Sequence, residues 1–83
     1  MRRNNLDICA DILQVARNGA KKTHLVYKAN LNFNIVKKYI RGLIENELLY
    51  SQNGLYFTTD KGVEFLIYYR DFMTLSPGKA SGD

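Results

Sequence analysis

Eighty-three residues carrying a net charge of +4 leave room for one domain and one core. A hydrophobic content of 46%, with six tyrosines and four phenylalanines, excludes general disorder, and no apolar run approaches the roughly 20 residues of a membrane span. The single cysteine, Cys9, closes no internal disulfide, and no signal-peptide core follows Arg2 and Arg3, so a cytoplasmic protein is expected. A chain of this length buries only about 60% of its unfolded surface and gains from self-association.

The distribution of charge says more than its sum. Between Asp11 and Glu45 there is no acidic residue, and Arg17, Lys21, Lys22, Lys28, Lys37, Lys38 and Arg41 fall in that gap. From Gly42 onward six acidic residues face three basic ones. One end of the fold is therefore expected to be positive and the other mildly negative, as in a protein that presents one face to a polyanion.

In chain order, a first helix is predicted from Asn5, a suitable N-cap, to Asn18, with Gly19 at its C′ position. Its apolar residues, Leu6, Ile8, Cys9, Ile12, Leu13, Val15 and Ala16, cover about half the wheel, which implies burial against more than one neighbour. After the basic connector Ala20-Lys21-Lys22, Thr23 is expected to cap a two-turn helix from His24 to Ala29. Asn32 is expected to cap a third helix from Phe33 to about Asn46. There Phe33, Val36, Ile40, Leu43 and Ile44, with Tyr39 alongside, form the inward stripe. Gly42 lowers the propensity of that helix by about 1 kcal/mol and is read as marking a close approach of another backbone. The β-prone runs Leu48–Tyr50 and Leu55–Thr58 flank Ser51-Gln52-Asn53-Gly54, whose Asn-Gly step is a strong hairpin signal. Thr59 is expected to cap a last helix from Asp60 to about Met73, and 76–83, with Pro77 and Gly78, to form a disordered tail after a domain spanning 1–75.

The order helix, short helix, turn, longer helix, hairpin, helix is that of a mostly helical α+β winged helix-turn-helix: a three-helix core, a two-stranded wing and a C-terminal helix. In that fold the third helix enters the DNA major groove. Its outward positions are Asn34, Lys37, Lys38 and Arg41, at three- and four-residue spacing and without an acid before Glu45. A merely solvated helix mixes signs to gain i,i+4 pairs. Asn, Lys and Arg are the side chains that read adenine and guanine edges or hold phosphates. Asn34, Lys38 and Arg41 are accordingly expected at bases and Lys21, Lys22 and Lys37 at phosphates, with Thr23 and Asn32 at the two helix starts beside them and Gln52 and Asn53 on the wing.

The stretch Gly19-Ala20-Lys21-Lys22-Thr23-His24-Leu25-Val26-Tyr27-Lys28-Ala29-Asn30-Leu31-Asn32-Phe33 resembles small archaeal winged-helix regulators, and Thr59-Asp60-Lys61-Gly62 is similar to the Thr-x-Lys-Gly step that opens their last helix. The same pattern occurs in small dimeric winged-helix chromosomal proteins of crenarchaea. The resemblance spans roughly Leu6 to Phe72 and implies DNA binding through the third helix and dimerisation through the last. Two features depart from it. The last helix is expected to stop near Leu75, short of an extended coiled coil, and the wing turn carries no Lys or Arg.

Phe65, Leu66, Tyr69, Phe72 and Met73 form a wide apolar arc on the last helix, more than one small core needs, and are read as the homodimer interface. His24 and Cys9 do not supply the three or four ligands of a metal site, and neither a phosphate loop, paired catalytic carboxylates nor a nucleophile-base set is present. His24 is read as a first-turn or partly buried structural residue and Cys9 as a small core residue. Tyr27, Tyr39, Tyr56 and Tyr69 are assigned to core packing rather than to base stacking. No enzyme and no cofactor are expected. The leading expectation is a nucleoid-associated homodimer that binds double-stranded DNA as a transcriptional regulator. An architectural protein without sequence preference and a protein-interaction module remain as alternatives.

Overall fold

The computed structural model of the chain describes residues 5–75. The predicted tail, 76–83, lies outside the described residues, as do 1–4. Helix α1 (Asn5–Val15) tightens into a 3-10 turn over Ala16–Asn18. Apart from Leu6, which is 52% exposed, its broad apolar arc serves contacts with both α2 (Lys22–Ala29) and α4 (Asp60–Leu75). Asn5 is already helical, and its Oδ1 accepts a 2.6 Å hydrogen bond from the Tyr39 hydroxyl. That bond ties the start of α1 to α3 (Phe33–Glu45).

Gly19 ends the 3-10 turn with a positive φ of 91°, and its N–H donates to the Ala16 carbonyl at 3.1 Å. A Cβ there would stand 2.7 Å from the ring of Phe57, so the glycine serves both the backbone reversal and the packing of the hairpin. The hairpin consists of β1 (Leu49–Gln52) and β2 (Leu55–Thr58), antiparallel, with Leu49 opposite Thr58 and Gln52 opposite Leu55. Asn53 and Gly54 have φ of 54° and 81°, the pair of left-handed residues that a two-residue I′ turn requires. Ala20, read from the sequence as connector, instead pairs with Tyr56 through bonds of 3.0 and 2.8 Å and adds a one-residue third rung to the sheet.

The core is apolar throughout: among the described residues no buried side chain is polar or charged. Ile12, Leu13, Leu25, Val36 and Leu49, one or two from each of α1, α2, α3 and β1, are fully buried, each contributing about 1.5–3 kcal/mol. Burial corrects several expectations about side chains. Phe33 and Ile44, placed in the inward stripe of α3, are 41% and 39% exposed, because Val36, Ile40 and Leu43 alone fill the contact with α1 and β1. Tyr27 is 84% exposed rather than packed, since Leu25 and Ala29 supply the buried positions of α2. His24 is in the first turn of α2 but exposed rather than partly buried. Cys9 is half-buried against the core, and burial pushes its thiol pKa up.

The close approach read at Gly42 lies at Gly62. A Cβ on Gly42 would meet nothing within 4 Å, whereas one on Gly62 would lie 2.3 Å from the carbonyl oxygen of Leu48 and 2.5 Å from Thr58 Cγ2. A dense joint of hydrogen bonds presses the helix onto that carbonyl. Leu48 O accepts from the Thr59 N–H at 3.0 Å, Thr59 Oγ1 donates to Glu47 O at 2.6 Å, and the Gly62 N–H donates to Thr59 Oγ1 at 3.0 Å. Thr59 therefore caps α4 as expected and also welds it to the end of α3. The neighbouring Thr58 hydroxyl donates to Leu13 O at 2.6 Å, fastening the hairpin to α1.

Candidate nucleic-acid interface

The surface built from α2 and α3 begins with how each helix starts. Lys21, extended at φ −78° and ψ 158°, is the N-cap of α2 and makes no side-chain cap bond; its carbonyl accepts from the His24 and Leu25 N–H groups at 3.0 and 3.1 Å. Thr23 thus lies inside the first turn and does not cap the helix. Lys21, Lys22 and Thr23 are all exposed. Asn30 leaves α2 in the left-handed conformation at φ 57°, where asparagine is tolerated, and its N–H satisfies the carbonyls of Val26 and Tyr27. Asn32 then returns to extended backbone, and its Oδ1 accepts from the Ile35 N–H at 2.9 Å, the expected N-cap of α3. Two helices joined through the tight turn at Asn30, Leu31 and Asn32 form the helix-turn-helix.

On α3, Asn34, Lys37, Lys38 and Arg41 are all exposed. Asn34 and Lys38 lie nearly opposite the buried row Val36, Ile40 and Leu43, with Arg41 next to them at 100° per residue. Lys37 is on the flank turned toward α2, where its Nζ lies 5.3 Å from the centre of the Phe33 ring. The Nζ of Lys22, from the start of α2, lies 4.9 Å from the same centre. Lys38 borders a shallow groove lined by Leu6, Cys9, Ile35, Tyr39 and Phe65. Gln52 and Asn53 are exposed at the hairpin tip, on a separate element. The fold thus gathers Lys22 and Lys37 about one aromatic ring and leaves Asn34, Lys38 and Arg41 free along one helix face. Sequence reasoning missed Phe33. Its i,i+4 relation to Lys37 was legible, but the reach of Lys22 across the turn was not.

On α4 the residues read as one interface divide. Leu66 is buried in the core of its own chain, and Phe65 and Tyr69 pack against that core. The Tyr69 hydroxyl donates to Asp7 Oδ1. Phe72 and Met73, 63% and 48% exposed, lie further along the helix, and Ile67 and Tyr68 add exposed surface beside them at 44% and 72%. Among the described residues no group of His, Cys, Asp and Glu could hold a metal ion, and no helix is long and apolar enough to cross a membrane.

A helix-turn-helix followed directly by a hairpin and closed by a packed C-terminal helix defines a winged helix-turn-helix protein. The chain belongs to the winged helix-turn-helix family, whose model matches residues 2–76. A protein of Methanocaldococcus jannaschii described as uncharacterised is 35% identical over 63 residues, covering 75% of this chain; the chain spans 30% of that relative's length. The fold is similar to the crystal structure of Sso10a-2, a DNA-binding protein from Sulfolobus solfataricus, with a TM-score of 0.76 and 24% identity over 88% of this chain and 81% of that one.

Proposed function

We propose that this protein binds double-stranded DNA as a homodimeric transcriptional regulator, with α3 in the major groove. The observation that carries the reading is the exposed face of Asn34, Lys38 and Arg41 on a helix-turn-helix within a stretch that has no acid between Asp11 and Glu45. Its likeness to Sso10a-2, itself described as DNA-binding, supports the same reading. Asn34, Lys38 and Arg41 are assigned to base edges. Lys21, Lys22 and Lys37 are assigned to phosphates, with Thr23 and Asn32 beside them and Gln52 and Asn53 at the wing tip.

Fluorescence anisotropy on a selected site and on random duplex, at two salt concentrations, tests the assignment. Arg41→Ala is expected to cost about 1–3 kcal/mol on the preferred site and to relax preference there. Lys22→Ala is expected to weaken all duplexes alike and to lower the log-log salt slope by about one. Equal losses on both duplexes for both variants would replace base reading with an architectural, sequence-indifferent coat. No binding at about 50 mM salt would leave the protein-interaction module as the better reading.

The dimer is proposed on the exposed end of α4, where Phe72 and Met73 lie beyond the part of the helix that packs on its own core. A two-fold contact there would repeat the same patch on both subunits and hold two α3 helices about one DNA turn, 34–36 Å, apart. Phe72→Asp is expected to give a monomeric mass by light scattering at tens of micromolar where the parent is dimeric. Because Phe72 is 63% exposed, its melting transition as a monomer should remain cooperative. A parent that is itself monomeric refutes the dimer.

A further inference from the structure

Phe33 opens the third helix and is 41% exposed, and its ring carries a lysine from each of two helices. Lys22 Nζ approaches the ring centre to 4.9 Å and Lys37 Nζ to 5.3 Å. Both lie within the roughly 6 Å at which a ring quadrupole attracts a cation. Two like charges held near one ring repel each other, and a bound anion that attracts both offsets that repulsion. We propose that Lys22, Phe33 and Lys37 form a preformed seat for a backbone phosphate of duplex DNA, with Phe33 as the positioning residue. This rests on the duplex-binding reading above and adds to it a role for a side chain that lies outside the buried core.

The physical reason lies in the lysine side chain. A four-carbon stem with a compact charge spreads over many rotamers, and ordering it on binding costs entropy. An aromatic face that already holds the ammonium removes part of that cost before DNA arrives. Each ammonium has three N–H donors, so one can face the ring while the others reach phosphate oxygens. Lys22 comes from the first residue of α2 and Lys37 from the second turn of α3, so the seat also fixes the angle at which the helix-turn-helix meets the backbone.

The test compares Phe33→Leu and Phe33→Tyr with Lys22→Ala and Lys37→Ala, by anisotropy over a salt series and by NMR of the free proteins. Phe33→Leu retains both charges. Duplex affinity is expected to fall about two- to five-fold per lysine released, while the salt slope stays that of the parent. Lys22→Ala and Lys37→Ala should each lower the slope by about one. Phe33→Tyr keeps an aromatic face and should bind as the parent does. In the DNA-free parent the ε-methylene resonances of Lys22 and Lys37 should be shifted upfield by the ring, and that shift should vanish only in Phe33→Leu. Parent-like binding by Phe33→Leu, or a parent without the ring shifts, overturns the positioning role. Saturation of those resonances by inorganic phosphate, against chloride at equal ionic strength, would make a free anion the occupant and overturn the backbone assignment. A parent that keeps the ring shifts but leaves duplex unbound sinks the duplex reading instead.

Discussion

Replacing Gly62 by alanine is expected to lower the melting temperature by about 8–16 °C, although alanine is the better helix former. Propensity alone favours the substitution by up to about 1 kcal/mol. Against it, the new Cβ would lie 2.3 Å from Leu48 O, held by the Thr59 N–H, and 2.5 Å from Thr58 Cγ2, held by the Thr58 hydroxyl's bond to Leu13 O. The first of these is backbone, so relief requires α4 to lift away from the end of α3. Overpacking of that kind costs about 3 kcal/mol, leaving a net loss near 2 kcal/mol, and each kcal/mol moves the transition of a domain this size by about 4–8 °C. Gly42→Ala is the matching control. Nothing lies within 4 Å of its Cβ, so the helix gain goes unopposed and the melting temperature should rise by about 4 °C. Thermal unfolding followed by circular dichroism decides the pair. Equal shifts for both variants would show that α4 does not press on Leu48.

Replacing Lys37, Lys38 and Arg41 together by alanine is expected to weaken duplex binding by 10²–10³-fold at about 0.1 M salt. Lys37, the phosphate contact of the three, contributes about 0.9 to the log-log salt slope, which at that concentration is a factor of roughly eight in affinity. Lys38 and Arg41, the base contacts, each cost about 1 kcal/mol or more on the preferred site, a factor of roughly 30 together, so the loss there multiplies to a few hundred while the slope falls by about one. All three side chains are exposed and none belongs to the core cluster, so the melting transition should change little. Lys61→Ala, which removes an exposed cation from α4, serves as the charge control and should leave binding close to the parent value. A triple variant that binds within threefold of the parent would remove α3 from the interface.

Much of the fold was legible because it rests on local chemistry. Asn32 and Thr59 are short polar side chains placed just before apolar periodicity, and both cap the helices they precede. Asn53-Gly54 supplies two residues that tolerate positive φ, and the I′ hairpin forms around them. The face of α3 was legible too, since a 3.6-residue period separates Val36, Ile40 and Leu43 from Asn34, Lys38 and Arg41 wherever the helix docks. Thr23 misled because lysine can begin a helix whose first N–H groups face solvent, and Lys21 does so here without a side-chain cap.

By itself, then, the sequence determined the elements, their order, the helix-turn-helix with its wing, and the clustering of positive charge. All of these depend on residues near one another along the chain. The tertiary structure decided which glycine bears a crossing backbone, because Leu48 and Gly62 meet only after the hairpin folds back. It decided that Leu66 belongs to the core while Phe72 and Met73 stay exposed, because the α4 arc is wider than the surface that covers it. It also decided that Lys22 and Lys37 share the ring of Phe33. Their meeting depends on the angle between two helices, which is set by side-chain packing and the turn at Asn30, and helical periodicity carries no information about that angle.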